Sequence, residues 1–247
     1  MNHHAKISVI TVCYNASKTI QKTIKSVVNQ SYANVEYIIV DGESTDGTLA
    51  IVDQFSDQIA VVISEPDNGI YHAMNKGIDS SSGHYLIFLN ADDYFFCTST
   101  IENIVKRLPS NESTQIFYGN TLMYDDKSGK GSLWKPKKIS GKMLYNSTIP
   151  HPSSIFCRSF FENFGHYDDS FHIAGDYEVF VRAYVNKVEF EYWDILIAVF
   201  SAGGISTNNT SSEMIKEERE NAIRRHFSPA KRRYLKFRVR IKKLLGF

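Results

Sequence analysis

The sequence predicts an α/β fold, with a mostly parallel sheet flanked by helices in the first hundred residues and a smaller mixed half after it. Three observations carry this. Strand-like and helix-like segments alternate from residue 6 to residue 89. The strand-like segments are continuous apolar runs, the pattern of strands covered on both faces. Polar side chains gather where those runs end, and that edge is where ligands bind in such sheets.

The segments justify themselves in order. Lys6 to Val12 is a β-branched run, broken by Tyr14-Asn15-Ala16-Ser17. Ile20, Ile24, Val27 and Val28 recur at helical spacing, giving a helix to about Gln30. Val35 to Val40 is a second strand, stopped by Asp41-Gly42-Glu43-Ser44-Thr45-Asp46-Gly47. Ser44 and Thr45 are the N-cap candidates for a helix carrying Leu49, Ile51, Val52 and Phe55. A third strand follows near Ile59 to Ile63, a short helix over Ile70 to Ile78, and a fourth strand over Tyr85 to Leu89. The second half is less regular. It reads as a helix near Ile101 to Leu108, aromatic strands around Ile116 to Tyr124, a basic loop from Lys127 to Lys138 and a strand over His151 to Phe156. Asp176 to Tyr184 has helical character, and Phe190 to Phe200 returns to strand. Ser212 to His226 is a polar helix, and Pro229 sets off a tail. The expected organisation is one domain over 1–210, in two halves at about 1–95 and 96–210. A helical basic tail follows over 211–247.

With 247 residues, 43% hydrophobic and 13% aromatic, the chain can bury a sizeable core. It has no run of about 18 apolar residues that would span a membrane, and its start does not read as a signal peptide. Three scattered cysteines, Cys13, Cys97 and Cys157, suggest free thiols in a reducing cytoplasm, and no Cys/His spacing suits zinc. The net charge of +1 conceals an asymmetry: ten Lys/Arg and no Asp/Glu follow Glu220, so the body carries 18 basic against 27 acidic residues.

The chemistry lies at the strand ends. Of Asp92 and Asp93, adjacent in the chain, one can face the crevice, and Mg²⁺ or Mn²⁺ is commonly held by one or two carboxylates plus substrate phosphates. Taken alone, the pair also reads as a solvated acidic turn. Asp41 can accept from ribose hydroxyls or a base N–H, or cap the following helix. Tyr14 can stack on a base and Asn15 hydrogen-bond it, or both can serve the turn. No GxGxxG follows the first strand and no GxxxxGK[ST] occurs, which argues against a dinucleotide oxidoreductase and a P-loop NTPase. The absence of GxSxG argues against an α/β hydrolase.

Four ordered motifs, Ile10-Thr11-Val12-Cys13-Tyr14-Asn15, Ile39 to Thr48, Glu65 to Gly77 and Phe88-Leu89-Asn90-Ala91-Asp92-Asp93, resemble glycosyltransferase family 2. The likeness is closest to bacterial members that build O-antigen, capsule or exopolysaccharide, and it covers roughly residues 6–200. It implies a glycosyltransferase A-type fold and inverting transfer from a nucleotide-diphosphate sugar, expected to be UDP-linked. The acceptor would be a saccharide or a lipid-diphosphate-linked sugar. By position, Asp41 matches the residue that recognises base and ribose, and Thr11 and Tyr14 match residues lining the nucleotide. Asn15, Asn75 and Lys76 fall in the same nucleotide motifs. Asp92 matches the last carboxylate of the Asp-x-Asp motif that holds Mn²⁺ or Mg²⁺. Asn90 replaces the motif's first Asp, and Met74 stands where many members have Arg.

Asn90, Asp93 and His151 are expected near the acceptor or behind the metal. Gly175-Asp176-Tyr177-Glu178 resembles the motif of the catalytic base, with Asp176 as base and Gly175 in place of the usual Glu. Its helix N-terminal position is expected to lower the carboxyl's pKa. The alternative is a non-catalytic nucleotide-sugar or saccharide-binding protein on the same scaffold. A nucleotidyltransferase would open with a Gly-rich loop that Tyr14 to Ser17 is not.

Lys231 to Leu245 carries eight cations, with Tyr234, Phe237, Ile241 and Leu244 on one helical face, although Phe237 to Lys242 also alternates like a strand. Such a helix would either lie on an anionic bilayer as a peripheral contact at the inner face of the cytoplasmic membrane or pack on the domain. Nucleic acid is not expected as a partner, because the body is acidic.

Overall fold

The computed structural model describes residues 5–109, 114–125, 128–201 and 212–244. Among them the chain runs β1 (Ile7–Cys13), α1 (Ile20–Val28), β2 (Val35–Asp41), α2 (Thr48–Val52), β3 (Val61–Ser64), α3 (Ile70–Asp79), β4 (Tyr85–Phe88), β5 (Tyr94–Phe95), α4 (Thr100–Val105), β6 (Thr114–Asp125), β7 (Lys130–Trp134), α5 (Gly141–Asn146), β8 (Ser154–Cys157), α6 (Arg158–Phe164), α7 (Gly175–Val185), β9 (Glu189–Ser201), α8 (Ser212–His226) and α9 (Pro229–Leu244).

The sheet order is β3-β2-β1-β4-β8-β6-β9-β5, with β7 paired to β6. The first four strands are parallel, as their apolar runs predict. Beyond β4 the sheet turns mixed: β4–β8, β8–β6 and β5–β9 are antiparallel and β6–β9 is parallel. The first three strands step outward in one direction and β4 lands on the other side of β1. The strand order therefore reverses between β1 and β4, which in parallel sheets opens a crevice at the strands' C-terminal ends. This is the glycosyltransferase A-type α/β fold, a mixed sheet flanked by helices.

Two apolar layers cover the sheet. Ile7, Val9 and Cys13 of β1 face a core made with Ile20, Ile24 and Val27 of α1, Val52 of α2 and Ile101 and Ile104 of α4. Ile10 and Val12 face the other way, toward α3, α5, α6 and α7. In α1 the buried residues fall at i, i+3, i+4 and i+7, the stripe that holds an amphipathic helix on a sheet. An aromatic cluster of Phe88, Phe156, Phe161, Tyr167 and Phe180 fills the second layer, with ring centroids 5.3–5.9 Å apart.

Several expectations are corrected. The basic loop contains strand β7, paired with β6 through five residues, although Lys127 lies outside the described residues. His151 to Ser153 is a 3₁₀ turn, and the strand begins only at Ser154. The helix expected to reach Phe55 stops at Val52 and tightens into a 3₁₀ turn over Asp53–Gln58. Its N-cap is Gly47, not Ser44 or Thr45. Ser44 is already committed to neighbouring loops, and Asp46 accepts from the Thr48 N–H at 3.0 Å instead.

The boundary expected at 210/211 falls outside the described residues. Ala222 and Ile223 of α8, Phe227, and Leu235 of α9 lie in the same core as α7. The tail is helical to Leu244, and Tyr234 and Phe237 are 51% and 62% exposed. The side chains of Ile241 and Leu244 lie outside the described set.

Glu36, on β2, stitches the start of the sheet together. It accepts from Lys6 Nζ (2.6 Å), the Ser8 hydroxyl (2.6 Å) and the Ser82 N–H (2.7 Å). Burial pulls its carboxyl up, but these donors together bring it down to about 2. A depressed carboxyl contributes stability that is complete above its unfolded value of 4.5 and lost as pH falls toward 2. Unfolding free energy measured by denaturant from pH 5 to pH 2.5 is expected to fall less steeply in Glu36→Gln than in the wild type.

Candidate functional site

The ends of β1 and β2 are laced into one edge. Cys13 pairs in register with Asp41, and Asp41 with Ser64. Asp41 is fully buried. Its carboxylate accepts from the Ser44 N–H (2.9 Å), the Ser44 hydroxyl (2.5 Å), the Ser64 hydroxyl (2.9 Å) and, weakly, the Cys13 thiol (3.5 Å). Burial, reinforced by Asp41, pushes that thiol up, so it stays a donor.

Asn15 joins the two loops: its N–H donates to Ser44 Oγ (2.8 Å) and its Oδ1 accepts from the Thr45 N–H (2.9 Å). It sits at φ +50°, a left-handed conformation that Asn tolerates better than most residues. Ala16 and Ser17 add bonds to Thr48 and Asp46. Tyr14, two-thirds exposed, stands over Gly42. A Cβ on Gly42 would lie 2.5 Å from an oxygen of Asp67, so a side chain at residue 42 would push the Asp67 carboxyl from the place it takes at this edge.

Past β4, Asn90 to Asp93 forms a tight turn closed by the Asp93 N–H on the Asn90 carbonyl (3.0 Å). Asp93 is fully buried; its carboxyl accepts from the Ser201 N–H at 3.4 Å, and its carbonyl accepts from Thr23. Burial, then the charge of Asp92, pushes its carboxyl well above the carboxylate range. Asp92 is half-buried, and burial raises it too. Asn90 Oδ1 and Asp93 Oδ2 are buried oxygens with no hydrogen-bond donor among the described residues.

Asp176 opens α7, and the expected pKa lowering is overturned. Burial raises its carboxyl to about 6, against the Tyr177 N–H and the charge of Arg219, which lower it. Desolvation of a carboxylate outweighs the half-charge of a helix end. Tyr71, from α3, donates to the Ile173 carbonyl at 2.6 Å and stands 3.5 Å from Asp176 Oδ1. Its ring lies on Gly175, where an added Cβ would sit 2.8 Å from ring carbons. The glycine found in place of the usual Glu is thus the space occupied by Tyr71.

The other predicted residues are placed differently. Thr11 is fully buried and accepts from the Tyr37 hydroxyl at 3.1 Å. Asn75 clamps the backbone of Tyr167 through both its amide atoms, at 2.9 Å each. Lys76 binds Glu65 (2.9 Å) and the Pro66 carbonyl (2.8 Å). Met74 is buried in the core. His151, expected on the acceptor side, is inside the aromatic cluster, stacked on Phe88 and hydrogen-bonded to the Tyr167 hydroxyl at 2.8 Å. Burial brings it down to about 4, so it is neutral at pH 7. No hydrogen bond joins Asp41, Asp92 and Asp176 to one another. Sequence reasoning gave no role to Asp67 or Tyr71, although both lie inside the third motif.

The sequence model described as "Glycosyl transferase family 2" matches residues 8–165. A "PGL/p-HBAD biosynthesis glycosyltransferase" of Mycobacterium bovis is 25% identical over 214 residues, 85% of this chain and 82% of that relative. An "uncharacterized glycosyltransferase" of Mycobacterium tuberculosis is 34% identical over 72% of this chain and 68% of its own length. An Escherichia coli "UDP-Glc:alpha-D-GlcNAc-diphosphoundecaprenol beta-1,3-glucosyltransferase" is 34% identical over 58% of this chain and 56% of its own length.

Among solved structures, Staphylococcus aureus TarS 1-349 in complex with UDP-GlcNAc superposes with a TM-score of 0.69 at 21% identity. The match covers 86% of this chain and 64% of that one. The Pyrobaculum calidifontis mannosyltransferase PcManGT in complex with GDP-Man and Mn²⁺ gives 0.68 at 17% identity, over 92% and 66%. The chain thus spans slightly less than two thirds of these solved chains.

Gly175→Ala drives a methyl group into the Tyr71 ring. Overpacking of this kind costs about 1–3 kcal/mol, so a lower unfolding free energy by denaturant titration is expected, and an unchanged value would refute the contact.

Proposed function

The chain belongs to glycosyl transferase family 2, and on that premise we propose that it moves a sugar, with inversion, from a UDP-sugar to a hydroxyl of a saccharide or lipid-linked acceptor in bacterial surface-polysaccharide synthesis. The UDP choice is supported by the UDP-GlcNAc complex of TarS and by the name of the Escherichia coli relative. The observation that carries the catalytic assignment is the Asp176 carboxyl. It is poised at about 6 beside a tyrosine hydroxyl, close to the operating pH at which a general base is most effective.

In this reading Asp176 takes the proton of the acceptor hydroxyl as its oxygen bonds to the anomeric carbon, and the bond from that carbon to the nucleoside diphosphate breaks. Tyr14 stacks on the base. Asp41 works from behind the surface, holding the Ser44 loop on which the nucleotide rests.

Mn²⁺ or Mg²⁺ fits the fourth motif as a cofactor. Asp92 offers a carboxylate, Asn90 Oδ1 is an oxygen without a donor among the described residues, and a cation would offset the cost of burying Asp92. When bound, the ion neutralises charge on the departing diphosphate. Among the described residues, no group of three or more His, Cys, Asp or Glu forms a metal cluster. The diphosphate would therefore supply much of the coordination.

A second reading, nucleotide-sugar binding without turnover, is favoured by one observation. In the third motif Met74 is buried and Lys76 is committed to Glu65 and Pro66. The proposed setting is cytoplasmic, with α9 touching the anionic inner face of the membrane through its cations, Tyr234 and Phe237. No described helix is long and apolar enough to cross it.

Three measurements test this function. Asp176→Asn is expected to abolish transfer, a loss of about 10²-fold or more, while calorimetry still records UDP binding with Mn²⁺; transfer at the wild-type rate would remove Asp176 from the base role. The base must be ionised, so kcat/KM should be full above pH 7 and decline as pH falls through about 6. Mn²⁺ alone should bind weakly and UDP should strengthen it, an increment that Asp92→Ala removes; tight Mn²⁺ binding without nucleotide would contradict the site. UDP binding without turnover of any donor would favour the second reading.

A further inference from the structure

The helix that follows the last sheet strand reaches back to the start of α7, and it does so with charged side chains. Glu218 of α8, largely buried, accepts from three consecutive backbone N–H groups: His172 (2.7 Å), Ile173 (2.9 Å) and Ala174 (2.8 Å). Ala174 is the N-cap of α7, and its side chain provides no cap. These donors lie just ahead of the helix's own first turn, so a carboxylate from another helix anchors the backbone that leads into α7. Its neighbour Arg219 places its guanidinium 4.4 Å from the centre of the Tyr177 ring.

The two residues bracket Asp176. Glu218 fixes the backbone whose Ile173 carbonyl receives the Tyr71 hydroxyl, and that hydroxyl faces Asp176. Further along α8, Arg225 bonds Asp168 and Ser170, and His226 bonds Glu178 at 2.6 Å. α8 therefore pins the loop before α7 from Asp168 to Ala174.

We propose that α8 is a working part of the reaction centre, in which Glu218 fixes the backbone that presents Asp176 and Arg219 supplies the neighbouring positive charge, both as positioning residues for the base. This rests on the reading of Asp176 as base. The groups facing Asp176 are Tyr71 from α3, Tyr167 from the loop before α7, and Arg219 from α8. Arg219 is the cation that lowers its carboxyl. Removing that charge makes the ionised base costlier, so its pKa rises and the acidic limb of the rate profile moves to higher pH. Glu218 acts through geometry. Its loss affects the reacting step, while the nucleotide edge, built on β1 and β2, is untouched.

The test compares Glu218→Gln, Arg219→Gln, Arg219→Lys and Arg225→Ala in the full chain, with thermal unfolding as a check on folding. Glu218→Gln is expected to lower kcat roughly 10- to 100-fold, as small misplacements of reacting groups do, with the UDP dissociation constant unchanged. Arg219→Gln is expected to move the acidic limb of kcat/KM up by roughly half a unit or more, and Arg219→Lys to bring it back. Arg225→Ala, which loosens the same loop away from Asp176, should lower the melting temperature and leave the limb in place. If Asp176→Asn is inactive while Arg219→Gln keeps the wild-type limb and Glu218→Gln keeps the wild-type kcat, the inference is overturned and the base assignment stands. If Asp176→Asn is fully active, the base assignment itself has failed.

Discussion

A carboxylate taken wholly out of water has to be met by donors, and at the end of β2 the carboxylate of Asp41 is met by four, from Ser44, Ser64 and Cys13. Those donors come from the ends of the two strands flanking β2 and from the loop that follows it. Satisfying one buried charge therefore fixes where β1, β2 and β3 let go of the sheet. Asn15 can bridge to Ser44 and Thr45 only because that loop is already held. Tyr14 is left outside, the exposed member of an edge whose other parts are bound to one another.

The two halves meet at β4. On one side it continues the parallel register with β1, and on the other it pairs antiparallel with β8. Phe88, its last residue, contacts four aromatic rings or imidazoles in the second half. The turn bearing Asp92 thus leaves from a strand end held inside the aromatic cluster. α3 makes the second connection: Asn75 holds the Tyr167 backbone while Tyr71 covers Gly175. The edge at the ends of β1 and β2 and the Asp176 end are separate constructions, joined through β4 and α3.

Much of this was legible in the chain. The alternation of apolar runs and helical spacings is local, and it yields the first four strands and their parallel order. Strand ends follow from it, so Asp41 and Asp92 could be located. The remainder depends on contacts distant in sequence. Burial of Asp176 comes from elements around residues 71 and 219, and a helix-end argument made from α7 alone gets the direction of its pKa wrong. His151 looks like a site residue in its tetrapeptide, and only packing shows it enclosed by Phe88, Phe156 and Phe180. Strand β7 is short and polar, and its pairing with β6 rather than its composition makes it a strand. Glu218 lies in a segment that reads as a polar helix, with no local sign that it would reach the N–H groups of residues 172–174.

The contact between Tyr71 and Gly175 also bears on how this chain can change over generations. A ring on one element and the missing side chain on another, 104 positions apart, behave as a single inherited character. A lineage that places a bulky residue at 175 must first shed the ring at 71, and a lineage that keeps the ring is confined to glycine. Substitutions at the two sites are thus ordered in time, and aligned descendants of this chain would carry them as a correlated pair.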